Sequence, residues 1–426
     1  MKKFLALIIA LVMALSLVAC GEQKQPDNPD VPDDGQQTAT VKVGFITLHD
    51  ENSTYDLNFI NAAKEAIANL GLTDADYILK TNVPEGQECY ETAMNLVDEG
   101  CNIIFADSFG HEPYMIDAAK EHPEVQFCHS TGTRAHTEKR ANYHNAFASI
   151  YEGRYLAGIA AGLKLNEMIE AGKFTADEAK MGYVGAFTYA EVVSGYTSFF
   201  LGARSVCPTV TMDVTFTGSW YDETLEKEGA EKLIQGGCKL ISQHADSLGA
   251  PTACENAGVP NVSYNGSTKD ACPNTFIVSS RIDWAPYYEM CIKAVMDGTE
   301  IPADWTGTLA TGSVVLTDVN ETAAAAGTAE AIAAATEKLE KGEIHVFDCA
   351  NFTTKVDDKV NTFKADYLKL DEAGHITSYM ADVDTDAAYT GDTEVIKDGY
   401  FAESEFRSAP YFDLQIDGIN LLDTAM

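Results

Sequence analysis

Strand-like and helix-like segments alternate along most of the chain, and this repeat constrains the fold more than any other feature of the sequence. Residues 41–48 form an apolar-rich run typical of a buried strand, and apolar residues then recur at helical spacing from Leu57 to Leu70. Further strands are predicted at 77–79, 102–105, 125–128, 180–186, 212–216, 239–242, 262–264 and 276–278. Because helical patterns separate most of these strands, the sequence predicts an α/β fold with parallel sheets and right-handed crossover connections.

The first 40 residues have the features of an export leader followed by a tether. Two lysines precede an apolar run that is too short to span a bilayer, and the run ends in LVAC at 17–20, the pattern of a bacterial lipobox. We therefore expect residues 1–20 to hold a lipoprotein signal peptide and lipobox, with cleavage before Cys20 and lipidation of that cysteine. Residues 21–40 are rich in Pro, Asp, Gln and Gly, which predicts a flexible tether.

The 386 residues after the tether exceed the size of most single hydrophobic cores, so two lobes are expected. A break after the long helix predicted at 151–169 places the lobe boundary near Lys173. The predicted domains are an N-terminal lobe at 41–172 and a C-terminal lobe at 173–280. Part of 281–312 is expected to complete the N-terminal lobe, and part of 313–348 the C-terminal lobe. An extension at 349–426 is expected to pack on the two lobes.

The chain is strongly acidic, with 29 Lys and Arg against 65 Asp and Glu and a formal net charge of −36. Binding to nucleic acid or to an anionic lipid surface needs basic patches, so neither is expected, and the lipid anchor is the only predicted membrane contact. The sequence has no HExxH, GxSxG or CxxC motif, and we predict no metal site, no cofactor and no catalytic residue. The chain is therefore expected not to be an enzyme. Cys254 and Cys272 flank one predicted strand, and a bridge between them is a hypothesis that the sequence leaves open.

Aromatic and polar side chains follow several of the predicted strands. In open parallel sheets, ligands bind beyond the carboxyl ends of the strands, so these loops are where a ligand site is expected. Aromatic rings stack on planar ligands, while amides and carboxylates pair with the donors and acceptors at the edge of a heterocycle. The candidate ligand-binding residues selected in this way are Tyr55, Asn58, Ser108, Phe109, Trp220, His244, Asp246 and Asn265.

Four segments carry a resemblance to the basic membrane protein (BMP) family, the substrate-binding lipoproteins of ABC importers that are related to purine nucleoside receptors. They are FADSFGHEPYMIDAAKEHPEVQF at 105–127, YEGRYLAGIAAG at 151–162, AFTYAEVVSGYTSFFLGARSVCP at 186–208 and GSWYDETLEKEGAEKLIQGG at 218–237. The resemblance runs from about Val41 to about Asp348. It implies a type I periplasmic-binding-protein fold, in which two Rossmann-like parallel-sheet lobes enclose a ligand cleft.

The same resemblance assigns roles to individual residues. Tyr55 and Trp220 are similar to the two family residues that stack on a purine, and the family places polar contacts at Asn58, Asp246 and Asn265. Phe187 and Trp284, in the segments AFTYAEVV and RIDW, complete the predicted ligand site. Nucleoside receptors usually have Asp where this chain has Asn265 and Lys where it has Asp283, and these differences favour a free base such as adenine over a nucleoside.

The resemblance also implies how the protein works. It is expected to be a monomeric receptor that captures a purine base or nucleoside and delivers it to a permease and an ATPase encoded as separate chains. Its expected location is outside the cytoplasm, anchored to the cell membrane through the lipid on Cys20. A ligand-binding surface sensor or a sugar-binding protein on the same fold is the alternative.

Overall fold

Two open α/β sheets form the body of the protein, which the computed structural model describes at residues 40–383 and 391–426. The described residues fall in one compact unit. The predictions of a signal peptide and of lipidation at Cys20 lie outside the described residues, and so does the tether predicted at 21–40 except for its last residue.

Strands and helices alternate in chain order through most of both lobes. The strands are β1 (Val43–Ile46), β2 (Tyr77–Lys80), β3 (Ile103–Ala106), β4 (Gln126–Ser130), β5 (Tyr143–Ala148), β6 (Lys180–Gly185), β7 (Thr211–Phe216), β8 (Leu240–His244), β9 (Asn261–Tyr264), β10 (Phe276–Ile282), β11 (Asp304–Gly307), β12 (Val314–Leu316), β13 (Leu368–Leu370), β14 (Ile376–Ala381), β15 (Thr393–Glu394), β16 (Ile396–Lys397), β17 (Tyr400–Phe401) and β18 (Ile419–Leu421). The α-helices are α1 (Thr54–Asn69), α2 (Gln87–Asp98), α3 (Glu112–Glu121), α4 (Ala135–Glu138), α5 (Ile150–Glu170), α6 (Ala190–Val206), α7 (Glu223–Gln235), α8 (Gly249–Ala257), α9 (Ala285–Asp297) and α10 (Thr328–Glu340). Short 3-10 helices cover Phe109–His111, Ala176–Glu178, Cys349–Asn351 and Thr362–Lys364.

Each lobe is built on one sheet. The N-terminal sheet has the strand order β11-β5-β4-β3-β1-β2, and all of its neighbouring strands are parallel. The C-terminal sheet has the order β12-β10-β9-β8-β6-β7-β18, and it is parallel except that β12 runs antiparallel to β10. Each of the nine strands predicted through residue 278 overlaps an observed strand. The predicted α/β class with two parallel-sheet lobes is confirmed.

The chain crosses between the lobes after β5, between β10 and β11, and between β11 and β12. The first crossing lies at Ser149, so the structure differs from the predicted boundary near Lys173. The reason is that helix α5, which follows this crossing, packs along α6 of the C-terminal lobe. Its buried residues Leu156 and Leu165 share one hydrophobic core with Phe199 of α6.

Close packing of α5 on α6 depends on glycine at the contact. A Cβ atom at Gly158 would lie 2.0 Å from the carbonyl oxygen of Phe199, and a Cβ atom at Gly202 would lie 2.0 Å from that of Tyr155. Backbone atoms occupy the space that a side chain would need, so the two helices are nearer to each other than side-chain packing would allow. This contact fixes the position of α6, whose first turn reaches the ligand cleft.

The extension from residue 349 packs on both lobes. On the C-terminal lobe, β18 adds a parallel edge strand to β7, and the Asp423 carboxylate accepts hydrogen bonds from the Thr215 hydroxyl at 2.6 Å and from the Phe216 N–H at 2.7 Å. On the N-terminal lobe, the Ser408 N–H donates to Asp304 Oδ2 at 2.7 Å. The extension therefore contacts the edges of both sheets.

The cysteines of the described residues are buried thiols. Cys254 and Cys272 are both free in the structure, so the bridge considered from the sequence is not formed. Burial raises the pKa of the Cys272 thiol to about 11, which keeps the fraction of reactive thiolate low at neutral pH.

Candidate ligand-binding site

A cleft lies between the two lobes, at the carboxyl ends of the strands in both sheets. Its lining residues surround about 360 Å³ of space free of protein atoms, part of which is open to solvent. The N-terminal lobe contributes Leu48, His49, Tyr55, Asp56, Ser108, Phe109 and Thr131, and the C-terminal lobe contributes Glu191, Trp220, His244, Asp246 and Asn265. The position of the cleft agrees with the rule that parallel sheets bind ligands beyond their strand ends.

The lobes touch directly across this cleft. The Thr54 N–H donates to the Asp246 carbonyl oxygen at 3.0 Å, and Asn58 Nδ2 donates to the Asn265 carbonyl oxygen at 2.7 Å. The rings of His49 and Tyr221 are 5.4 Å apart at the rim. The structure is thus closed, and a ligand in the cleft would contact residues of both lobes.

Trp220 lies at the turn from β7 to α7, where short polar residues are the usual choice. Gly218 and Asp222 form this turn instead. Gly218 adopts a left-handed φ of 74°, and the Asp222 side chain caps α7 by accepting the Leu225 N–H at 2.9 Å. The Trp220 ring is therefore free to line the cleft. Phe187 packs edge-on against it, with ring centroids 5.0 Å apart.

Tyr55 supplies an aromatic ring from the opposite lobe. It lies in the first turn of α1, where the Ser53 side chain caps the helix by accepting the Asp56 N–H. The Tyr55 hydroxyl donates to the Asp107 carbonyl oxygen at 2.7 Å, and its ring packs against Phe59 with centroids 4.8 Å apart. These contacts hold the phenol ring in one orientation beside the cleft.

A carboxyl and an amide form a pair on the floor of the cleft. Asn265 Nδ2 donates to Asp246 Oδ1 at 3.3 Å, and both side chains are buried. Burial, together with the negative charges of Asp56, Glu226 and Glu191, raises the pKa of Asp246 well above its usual range. Asn265 has a left-handed φ of 65°, which asparagine tolerates better than most residues. The pair offers both donors and acceptors to a ligand edge.

Thr131 lines the cleft from the end of β4 and has a strained backbone. Its φ is 68°, an outlier for a β-branched residue, while its N–H donates to the Ala146 carbonyl oxygen at 2.9 Å. Its buried hydroxyl has no hydrogen-bond partner among the described residues. Because buried hydroxyls are normally paired, a ligand atom is a suitable partner for this one.

The structure brings most of the predicted ligand residues together. The predicted residues that line the cleft are Tyr55, Ser108, Phe109, Trp220, His244, Asp246 and Asn265. Asn58 instead bridges the lobes through the Asn265 carbonyl, and Phe187 supports the Trp220 ring from outside the cleft. Trp284 does not reach the cleft, because its ring is buried in the N-terminal core and stacks on Phe59 with centroids 4.5 Å apart.

Sequence reasoning missed several lining residues. They are Leu48, His49, Asp56, Thr131 and Glu191. Leu48, His49 and Thr131 lie at or just after the end of a predicted strand of the N-terminal lobe, and Asp56 lies in the first turn of α1. None of them has a large aromatic ring or an amide, the groups that marked most of the selected residues. Glu191 lies in the first turn of the helix after β6, and only its position at a helix start could have indicated it.

The charge of the cleft is acidic. Its described lining includes the carboxyl groups of Asp56, Glu191 and Asp246 and no lysine or arginine. A ligand that carries negative charge would find no cation to pair with, so the site suits a neutral ligand that donates hydrogen bonds. A larger cavity of about 2190 Å³, including space open to solvent, adjoins the cleft at Phe109, Thr131 and Glu191 and is lined mostly by the extension.

The sequence was compared with known families and proteins. Residues 45–348 match the model of the family described as Bmp, ABC transporter substrate-binding protein PnrA-like. The chain is 32% identical to a purine-binding protein of Brucella abortus over 262 residues, which cover 61% of this chain and 70% of that protein. It is 33% identical over 207 residues to a Haloferax volcanii protein that carries the name of a putative ABC transporter glucose-binding protein, covering 48% of this chain and 49% of that protein.

A solved structure supports the fold. An ABC transporter solute-binding protein from Conexibacter woesei has a TM-score of 0.58 at 20% identity and covers 72% of this chain and 98% of its own. Across residues 40–383 and 391–426, no helix is both long and apolar enough to cross a membrane. The family match extends over well more than half of the chain and includes every residue that lines the cleft. The predicted family is therefore confirmed, and the chain belongs to the Bmp family of PnrA-like ABC transporter substrate-binding proteins.

Proposed function

We propose that the cleft captures a free purine base such as adenine and closes around it. The observation that carries this proposal is the placement of Trp220 and Tyr55 on opposite lobes, beside the buried Asp246 and Asn265 pair. A planar ring can contact an aromatic side chain on each face while its edge pairs with the carboxyl and the amide. Such a ligand contacts both lobes and so stabilises the closed form.

The polarity of the cleft agrees with a base rather than a nucleotide. A nucleotide phosphate requires cationic or N–H partners, and the described lining holds carboxyl groups instead. Adenine is uncharged and donates through its amino group and one ring N–H. The carboxyl groups of Glu191 and Asp246 can accept from such donors, and the free hydroxyl of Thr131 offers a further contact.

Family membership supports a role for this capture in transport. An ABC substrate-binding protein works outside the cytoplasm and passes its ligand to a membrane permease that a separate ATPase drives, and the family is a transporter component rather than an enzyme family. We infer further that the protein acts as a monomer held to the cell membrane through a lipid on Cys20. The LVAC pattern at 17–20 supports that anchor. Metabolic labelling with a fatty acid should fail to label a Cys20→Ser variant.

The names of the two relatives point to two different ligand classes. The Brucella protein is named as purine-binding, which supports a purine, while the name of the Haloferax protein favours a sugar. The Brucella match covers a larger share of both chains, and the cleft has a large aromatic side chain on each lobe. We therefore favour the purine and retain a sugar as the second candidate.

Thermal unfolding against a ligand panel tests the proposal. A ligand at 100 times its dissociation constant adds about 2.7 kcal/mol to the free energy of unfolding, which raises the midpoint by a few degrees for a chain of this size. We expect this shift with adenine and a smaller one or none with adenosine, pyrimidines and glucose. A shift with glucose alone would identify a sugar receptor, and a shift with nucleosides alone would show that the cleft requires the ribose.

A further inference from the structure

Glu191 is a carboxylate of the cleft that the fold places beside a buried histidine. It lies in the first turn of α6, and its side chain is 12% exposed. Its Oε1 atom is 3.4 Å from Nε2 of His244, a side chain that is 3% exposed. Both residues line the cleft, so any group that pairs with Glu191 there lies beside His244 as well.

The environment of His244 determines which of its nitrogens carries the proton. Nδ1 is buried and has no hydrogen-bond acceptor within the part of the chain that the structure describes. It faces helix α6 so closely that a Cβ atom at Gly195 would lie 2.6 Å from it. A proton on Nδ1 would thus be unsatisfied, and the favoured tautomer carries the proton on Nε2. Burial lowers the pKa of His244, which keeps the ring neutral, and Nε2–H then donates to Glu191.

This bond leaves one oxygen of Glu191 for a ligand. An ionised carboxylate only accepts hydrogen bonds. Asp56 cannot substitute for it, since its oxygens accept from the His49 N–H at 2.8 Å and from the Ser53 hydroxyl at 2.5 Å. Glu191 is therefore an acceptor that requires a donor on the ligand.

We propose that Glu191 determines the specificity of the cleft by selecting a purine with an amino group at C6 over one with an oxygen there. This inference rests on the proposed capture of a purine. A 6-amino group donates to the carboxylate, whereas a 6-oxo group would place two acceptors against each other. A site that is built to accept from a ligand N–H disfavours an analogue that lacks it, because one oxygen of the partly buried carboxylate is then unpaired. His244 is a positioning residue that fixes the orientation of the carboxylate.

Isothermal titration of adenine and hypoxanthine into the wild-type protein and into Glu191→Gln tests this assignment. We expect the wild type to bind adenine at least about 100-fold more tightly than hypoxanthine. The glutamine amide can donate as well as accept, so the variant should lower this preference by at least about 10-fold, with weaker binding of adenine and stronger binding of hypoxanthine. Glu228→Gln, on the exposed face of α7, is the matched control and should keep the wild-type ratio.

The outcomes separate this inference from the proposed function. If the wild type binds adenine and Glu191→Gln keeps the same preference, the role of Glu191 is overturned while purine capture stands. Preference of the wild type for hypoxanthine would overturn it in the same way. If no purine binds to the wild type, the proposed function fails and this inference fails with it. Unfolding midpoints of the unliganded variants check that a loss of binding does not come from a loss of structure.

Discussion

Replacing Trp220 with alanine lowers the affinity for adenine by about 10–100-fold, because stacking of a base on an aromatic side chain contributes about 1–3 kcal/mol. The Trp220 ring lines the cleft on the C-terminal lobe, and among the described residues the lining offers no second tryptophan, tyrosine or phenylalanine on that lobe. Titration calorimetry with adenine gives the dissociation constants of wild type and variant directly.

Trp220→Phe is the matched control, because phenylalanine keeps a flat apolar face at the same position. It should bind adenine within about 10-fold of the wild type. Trp220 also contacts the rings of Phe187 and Tyr189, so the unliganded midpoint of each variant must be measured. Wild-type affinity in a folded Trp220→Ala variant would show that the base does not stack on this ring.

Replacing Gly202 with alanine destabilises the fold by about 1–3 kcal/mol or more, as overpacking of a dense core does. The added Cβ would lie 2.0 Å from the Tyr155 carbonyl oxygen, a backbone atom that can move only if α5 and α6 separate. Because α6 carries Glu191 in its first turn, we expect weaker ligand binding as well as a lower free energy of unfolding in urea.

Gly229→Ala is the matched control, because the same substitution at this position is expected to raise the free energy of unfolding. Gly229 lies inside α7, and a Cβ atom there would meet its nearest neighbour, a methyl group of Val184, at 3.4 Å, which is ordinary van der Waals contact. Gly229→Ala should therefore stabilise the protein by about 0.5–1 kcal/mol through helix propensity. Equal effects of the two substitutions would contradict the close helix contact.

Most strands could be predicted because they are apolar and buried on both faces, as parallel strands usually are. Strand β5 was missed because it contains His144 and Asn145. Both are buried, and their polarity is satisfied by specific partners, with His144 Nε2 2.8 Å from Gln126 Oε1 and Asn145 Oδ1 accepting the Ala135 N–H at 2.7 Å. Such partners come from other segments of the chain, so the polar residues of β5 are typical of a loop when only the local sequence is considered.

The sequence also did not indicate which lobe α5 packs on. Small residues such as Gly158 and Gly162 occur around the helix, so its sequence does not indicate one apolar face. The pairing of β18 with β7 is equally hidden, because it joins residues about 200 positions apart through backbone hydrogen bonds that any sequence can make.

The candidate site was predictable where a residue follows a strand and has a distinctive side chain. Trp220, Asp246 and Asn265 satisfy both conditions, and they line the cleft. Trp284 is aromatic and follows β10, yet its ring turns into the core because α9 starts at the next residue and packs on the N-terminal lobe. Glu191 has no distinctive pattern, and its importance comes from His244, which only the folded structure places beside it.

Calorimetric titration of the wild-type protein with adenine, adenosine and glucose tests whether the cleft captures a free purine base. We predict that adenine binds with one site per chain and at least about 10-fold more tightly than adenosine, because Asn265 lines the cleft where nucleoside receptors usually have Asp. Saturable binding of glucose with no binding of any purine base would contradict it.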